Sequence, residues 1–301
     1  MKVVIAGATG FIGGILTDHL WNQMHSVALF SRRPPSEVNV TKKEWFTWEP
    51  GLVGEWAKAV DGADGIVNLA GEPIAAKRWS EAQKEKLRSS RIDATRSLVN
   101  AVAKAKAKPR FLINASAVGY YGPHGDEVVT EQTGPGQDFL SRLCVDWEEE
   151  AKKAEAFGVR VALVRTGIVL DKGKGALAKM VPPFKMFVGG PLGSGQQWMP
   201  WIHVEDHIGL ICFLMENDAA RGPINATAPN PVTMETFSKT LGDVLNRPSW
   251  ASLPASALAM LLGEMADMLT MGQRAVPEAA LKLCYTFKYP NLLNALQSLR
   301  L

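Results

Sequence analysis

Apolar residues fall in short unbroken runs at Lys2–Ala6 (KVVIA), Ser26–Phe30 (SVALF), Gly65–Leu69 (GIVNL), Arg110–Asn114 (RFLIN) and Arg160–Arg165 (RVALVR). Runs of this length without polar alternation are those of strands buried on both faces. Between them the apolar spacing becomes helical. Phe11–Met24 has it, and so does Ser80–Lys104, with Leu87, Ile92, Leu98 and Val102; Asp138–Phe157 follows, and Gly54–Val60 predicts a shorter helix. Strand and helix in alternation predict an α/β fold, a Rossmann-type doubly wound parallel sheet with helices on both faces.

The pattern changes after Thr166. Glycine and proline become dense in GKGALAKMVPPFKMFVGGPLGSGQQ, and a helix over His207–Met215 and further helices from Thr233 come after it. Residues 1–165 are read as the nucleotide-binding domain, and 166–301 mainly as a smaller C-terminal subdomain facing the substrate. Trp201–Val204 and Pro223–Ala226 are short apolar pieces able to return to the main sheet, so the first domain is extended to about 200–228. The stretch ASALAMLLGEMADMLTM is expected to form a buried or lid-like helix. No internal repeat or low-complexity tract interrupts the chain.

The first strand runs into GATGFIG, with glycines at 7, 10 and 13. A turn of this kind needs a first glycine to leave the strand tightly. A second lets backbone approach a pyrophosphate, and a third packs helix against strand. The helix that opens at Phe11 then offers free N–H groups and its positive dipole end to an anion. Gly7, Thr9, Gly10, Phe11, Ile12 and Gly13 are therefore assigned to a dinucleotide. The second strand refines this. Where an acidic residue would hold the ribose 2′-hydroxyl of NAD, the chain has Ser31, Arg32 and Arg33. A hydroxyl and two guanidiniums suit a 2′-phosphate, so the expected cofactor is NADP(H).

These motifs resemble the extended short-chain dehydrogenase/reductases, the NAD(P)-dependent sugar epimerases, dehydratases and reductases. NLAGEPIAAKRW, SRIDATR, DFLSRLCVDWE, VRTGIVLDKGKGAL, GGPLGSGQQWMPWIHVED and GPINATAPNPVT narrow the resemblance to one atypical branch, the epimerase family proteins. The C-terminal piece of that branch is a domain of unknown function. The resemblance implies that Ser31 and Arg32 hold the 2′-phosphate. It implies that Leu69, Ala70 and Gly71 pass their backbone beside the cofactor, that Arg91 reaches it from the long helix, and that Val169 lines the nicotinamide end. Packing alone is the alternative for Leu69, Ala70 and Val169.

In the broad group a tyrosine moves the proton, and a lysine four residues on lowers its pKa from the same helix face. The corresponding stretch here, QDFLSRLCVDWEEEA, has neither residue. Phe139 or Leu140 falls in the tyrosine slot and Leu143 or Cys144 in the lysine slot. Candidate catalytic groups are then Ser116, at the end of its strand, and the phenols of Tyr120 and Tyr121. A serine bonding its own backbone and a structural aromatic pair are the alternatives. Arg165 and His203 are read either as polar site groups or as structural residues. Gln196, Gln197 and Trp198 suit a polar ring-shaped ligand such as a sugar, by stacking and edge hydrogen bonds, or form a structural loop. The function expected is an oxidoreductase or epimerase acting on a small polar substrate. A regulator or scaffold that binds the cofactor without turnover is the alternative.

Composition narrows the partners. A formal charge of +3, without basic runs, argues against nucleic acid or an anionic membrane. No window has the length and apolarity of a membrane span, and MKVVIAGATG has no signal-peptide pattern. Cys144, Cys212 and Cys284 form no CxxC pair and lie in apolar or helical contexts. Buried thiols and a reducing, cytoplasmic setting are expected. No cluster with metal-ligand spacing is present in the sequence.

Overall fold

A computed structural model describes residues 1–34, 43–51 and 54–301. Strands β1 (Lys2–Ala6), β2 (Ser26–Ser31), β3 (Lys43–Thr47), β4 (Gly65–Asn68), β5 (Phe111–Ala117), β7 (Arg160–Thr166) and β11 (Gly222–Ala226) form one seven-stranded sheet. Its order is β11-β7-β5-β4-β1-β2-β3, and every pairing is parallel. The chain moves outward from β1 through β2 to β3, then restarts on the other side at β4. This places the switch point between β1 and β4, where sheets of this kind bind ligands at the carboxyl ends of their strands.

Alternate residues of β1 serve opposite faces, as the pleat requires. Val3 and Ile5 pack with Leu16 and Leu20 of α1 (Phe11–Asn22) and with Ile208, Ile211 and Leu214 of α5 (Val204–Glu216). Val4 and Ala6 pack with Leu98 and Val102 of α2 (Glu81–Lys104) and Ala151 of α3 (Phe139–Lys152). Ser80 caps α2 by accepting from Gln83 N, and Asp138 caps α3 by accepting from Ser141 N. A third core joins α4 (Leu177–Lys185), α6 (Met234–Leu245) and α10 (Leu292–Ser298).

Several expectations change in detail. The helix expected over Asp138–Phe157 ends at Lys152 and closes as a 3₁₀ turn over Lys153–Phe157. Pro223–Ala226 does join the main sheet, inside β11, beside β7. Trp201–Val204 does not. β10 (Trp201–His203) pairs instead with β8 (Ile168–Leu170) in a separate ladder, β9 (Trp198–Met199) pairs with β12 (Val232–Thr233), and β6 (Val128–Val129) pairs with β13 (Arg274–Ala275), which leads into α9 (Glu278–Lys282). Gly167 permits the change of sheet, because a Cβ there would lie 2.4 Å from the Pro200 carbonyl oxygen.

The stretch expected as one buried or lid-like helix is broken. α7 (Ala255–Leu262) stops at Gly263, whose φ of +63° ends the helix, and a 3₁₀ turn and α8 (Asp267–Thr270) follow. Met260 is 81 % exposed and only Leu258 of α7 is buried. Of the three cysteines, Cys144 is buried, Cys212 is half-buried and Cys284 is exposed, against the expectation of three buried thiols. No helix among the described residues is long and apolar enough to cross a membrane.

Candidate functional site

The glycine turn is shaped by close backbone approach. Gly7 has φ +80°, and a Cβ on it would lie 2.7 Å from the Leu69 carbonyl oxygen. A Cβ on Gly13 would lie 2.2 Å from the Gly7 carbonyl oxygen, so only glycine lets α1 meet the turn. Gly10 N donates to Gly7 O at 2.9 Å, and no side chain caps the helix at Gly10. Phe11 and Ile12 are half-buried, while Thr9 and Gly10 are exposed.

The Thr9 hydroxyl lies 3.3 Å from that of Ser31, which is buried at the end of β2 and accepts from Arg33 N at 3.2 Å. Arg32 and Arg33 are exposed beside it. Arg32 Nη2 stands 4.0 Å from Glu72 Oε2, and Lys86 Nζ donates to Glu72 Oε1 at 2.9 Å.

The path of Leu69, Ala70 and Gly71 is set by buried amides. Asn68 Nδ2 donates to Thr95 Oγ1 at 2.9 Å and to Asn114 Oδ1 at 2.7 Å, while Asn68 Oδ1 accepts from Ala70 N at 3.2 Å. Trp147 Nε1 donates to the same Thr95 oxygen at 2.9 Å. Arg91 closes this side. A Cβ on Gly71 would lie 3.1 Å from its guanidinium carbon, which stacks 5.2 Å from the Trp147 ring centre. Burial lowers the Arg91 pKa from its ordinary value. Across the crevice, Gly175 joins Val169 to Phe11. A Cβ on it would lie 3.2 Å from the Phe11 ring and 3.3 Å from the Val169 carbonyl oxygen.

At the carboxyl ends of β5 and β7 lies a buried polar chain that includes two of the candidate catalytic residues, Ser116 and Tyr121. Ser116 Oγ, 4 % exposed, donates to Glu148 Oε1 at 2.7 Å. Arg165 grips the same carboxylate with Nε to Oε1 and Nη2 to Oε2, both at 2.8 Å. Burial alone would lower the Arg165 pKa, but the Glu148 hydrogen bonds and charge more than offset it and hold the guanidinium charged. Arg165 Nη1 donates to the Tyr121 hydroxyl at 3.0 Å, which donates to Asn225 Oδ1 at 2.6 Å. Burial pushes the Tyr121 phenol up to about 12, against the opposing pull of Arg165. Tyr120 differs. Its ring lies 3.4 Å below the Arg165 guanidinium, and among the described residues nothing hydrogen-bonds its hydroxyl.

On α3, Phe139 packs edge-on against Trp79 at 5.4 Å, and Leu140 faces Gly119. Cys144 is buried, and burial pushes its thiol up to about 12 with Glu148 adding to the shift. The slots of the absent tyrosine and lysine are therefore filled by groups that do not ionise at neutral pH. His203 is a helix cap. Its Nδ1 accepts from Glu205 N at 3.1 Å, and its Nε2 lies 3.1 Å from Ser298 Oγ.

A cavity of about 390 Å³, whose wall begins at Pro123 just after Tyr121, also takes in His124, Asp126, Gln196, Gln197, Trp198 and Thr270. Trp198 Nε1 donates to Asp126 Oδ1 at 2.9 Å, and Arg274 stacks 4.6 Å from the indole. Gln197 Nε2 is tied to the Leu192 and Leu269 carbonyls at 2.7 and 2.8 Å. Glu148, Asn225 and Glu72 escaped the sequence reading. Their only signals were the acidic run WEEEA, an asparagine inside a late apolar piece, and the acid of AGEP. Among the described residues no cluster has the makings of a metal site.

The pattern of the NAD dependent epimerase/dehydratase family matches residues 3–226, and that of a domain of unknown function matches 253–299. The chain belongs to the NAD dependent epimerase/dehydratase family. Within it, the chain is similar to the epimerase family protein SDR39U1 homolog, chloroplastic, of Arabidopsis thaliana, at 43 % identity over 99 % of this chain and 86 % of that one. It is also similar to the epimerase family protein YfhF of Bacillus subtilis, at 41 % identity over 99 % and 98 %. Among solved structures, human epimerase family protein SDR39U1 with NADPH superposes with a TM-score of 0.89. The identity there is 33 %, over 99 % of both chains. The parallel sheet and the glycine turn after β1 thus belong to an epimerase-family fold.

Proposed function

We propose that this chain is an NADP(H)-binding oxidoreductase or epimerase acting on a small polar substrate. The observation that carries the reading is the cradle at the β1–β4 switch point. Side chains at Gly7 and Gly13 would strike backbone, and Ser31, Arg32 and Arg33 lie together at the end of β2, where they would meet a 2′-phosphate. That the human relative was solved with NADPH supports it. Gly7, Thr9, Gly10, Phe11, Ile12 and Gly13 would receive the pyrophosphate at the α1 N-terminus. Leu69, Ala70 and Gly71 would flank the cofactor with backbone, with Arg91 and Val169 toward its nicotinamide half.

When bound, the nicotinamide supplies a hydride donor or acceptor. The chain's own part is binding, orientation and the proton. Arg91 brings a cation from α2 beside Cys144, the slot where α3 has no lysine. Ser116 and Tyr120 are the hydroxyls proposed to meet the substrate oxygen, and Tyr121 holds Arg165 in place for them. Residues 1–165, with α5 and β11 returning to the main sheet, would make the cofactor half. Residues 166–301 mainly face the substrate, which the cavity at Trp198 would hold by its polar edge and indole.

A second reading, a cofactor-binding regulator, is favoured by one observation: the only proton of Ser116 is already given to Glu148. Thermal unfolding with NADPH and with NADH, repeated on Arg32→Ala, tests the cofactor. Ligand at a hundredfold excess over Kd adds ~2.7 kcal/mol. NADPH should give the larger shift, and Arg32→Ala should erase the difference; equal shifts for the unaltered protein would overturn the NADP assignment. NADPH oxidation with a panel of carbonyl compounds and sugar nucleotides separates the two readings, since the regulator predicts tight binding without turnover.

A further inference from the structure

Glu72 is a carboxylate among cations at the mouth of the cradle. Its backbone is fixed, because Glu72 N donates to Ser90 Oγ at 3.0 Å and Gly71 before it is wedged against Arg91. Its side chain is 11 % exposed, so the charge is held in place rather than free in solvent. Oε1 takes the Lys86 ammonium at 2.9 Å, and Oε2 stands 4.0 Å from Arg32 Nη2. Arg32 is the guanidinium that the reading above gives to the 2′-phosphate, and its side chain is 67 % exposed and long enough to change partner.

A carboxylate and a phosphate dianion repel when they share one guanidinium, whereas a carboxylate accepts a hydrogen bond from a ribose hydroxyl. Lys86 holds the other oxygen of Glu72, draws on the same negative charge and so weakens its hold on Arg32. We propose that Glu72 is a specificity-determining residue of the cofactor site: it competes with a 2′-phosphate for Arg32, limits the preference for NADP(H) over NAD(H), and is itself restrained by Lys86. This inference rests on the NADP(H) reading and adds the residue that tempers it.

The test is the ratio of Kd for NADH to Kd for NADPH, measured by titrating cofactor fluorescence on the full chain, with apo thermal unfolding as a check of folding. Glu72→Gln keeps shape and removes charge. It should raise the ratio about fivefold, mainly by tightening NADPH, the size set by a surface ion pair of up to ~1 kcal/mol. A ratio unchanged within about twofold, or a lower one, overturns the proposal. Lys86→Met should lower the ratio in the unaltered background and have little effect beside Glu72→Gln. An equal effect in both backgrounds means that Lys86 acts on the phosphate directly, which overturns the part given to Glu72. Arg32→Ala separates the two layers. If it leaves the ratio unchanged, the NADP reading fails and takes this one with it; if it collapses the ratio while Glu72→Gln does nothing, only this one fails.

Discussion

The glycine cradle and the proposed chemical end both lie at the carboxyl ends of the sheet strands and are built in opposite ways. The cradle is made by backbone. Gly7, Gly13 and Leu69 approach so closely that side chains are excluded, and α1 opens directly from the turn at Phe11. The chemical end is made by side chains, with Ser116, Glu148, Arg165, Tyr121 and Asn225 joined end to end and each buried. A backbone site depends on what is missing from the sequence. A side-chain network depends on pairs far apart in it, and removing one member strands the rest.

The largest effects should come from breaking each region in its own manner. Gly13→Val places carbon atoms against the Gly7 carbonyl and should abolish the NADPH-induced thermal shift, raising Kd more than about a hundredfold, with β1 and α1 forced apart. Arg165→Met leaves Glu148 buried and unpaired and should cost about 3–5 kcal/mol in chemical denaturation. Adding Glu148→Leu should restore most of that loss, because an apolar pair of similar volume replaces the ion pair. Failure of the second change to rescue the first would break the claim that the network, rather than Arg165 alone, is the structural unit.

How much of this was legible follows from the same contrast. β1, β2, β4, β5 and β7 were read from the chain because strands buried on both faces write continuous apolar runs. The glycines were read because a turn requires them locally. β3, KEWFT, was not read: it is an edge strand, half polar, with no run to announce it. In WEEEA three consecutive acids look like one solvated face. Yet Glu148 and Glu150 are buried and Glu149 is exposed. What selects Glu148 is Arg165 and Ser116, which pair across the sheet register and reach it from two strands. No local pattern carries that. The extended helix expected after Ala255 failed for a local reason that spacing alone does not weigh, the positive φ at Gly263.

An acid titration sharpens the comparison, since the cradle has few buried titratable groups and the α5 end has two histidines. His207 is fully buried, its Nε2 lies 3.0 Å from Thr166 Oγ1, and burial lowers its pKa from 6.5 to about 4. Burial also lowers that of His203. A folded pKa below the unfolded one means that the unfolded chain binds more protons as pH falls. The stability is therefore complete above pH ~6.5 and is lost as pH falls through the folded value. His207 alone should account for about 3 kcal/mol between pH 6.5 and 4. His207→Phe should flatten that part of the profile; an unchanged slope would show that other groups carry it.

The smallest effect is the most informative. Ser116→Ala removes one donor from Glu148, whose two oxygens both keep Arg165. The stability loss should be about 1 kcal/mol, the ordinary worth of one hydrogen bond. NADPH binding should hardly change, because the cradle lies on other backbone. Tyr121→Phe should cost about 1–2 kcal/mol, since it strands both an Arg165 donor and the Asn225 oxygen. The two variants thus predict similar, modest stability losses and differ only in chemistry. If Ser116 meets substrate, its alanine variant loses turnover far beyond its stability cost, while Tyr121→Phe loses turnover only in proportion to the loosening of Arg165. Equal losses in kcat for the two would make Ser116 one more strut of the network and leave Tyr120, whose hydroxyl has no partner among the described residues, as the group to remove next.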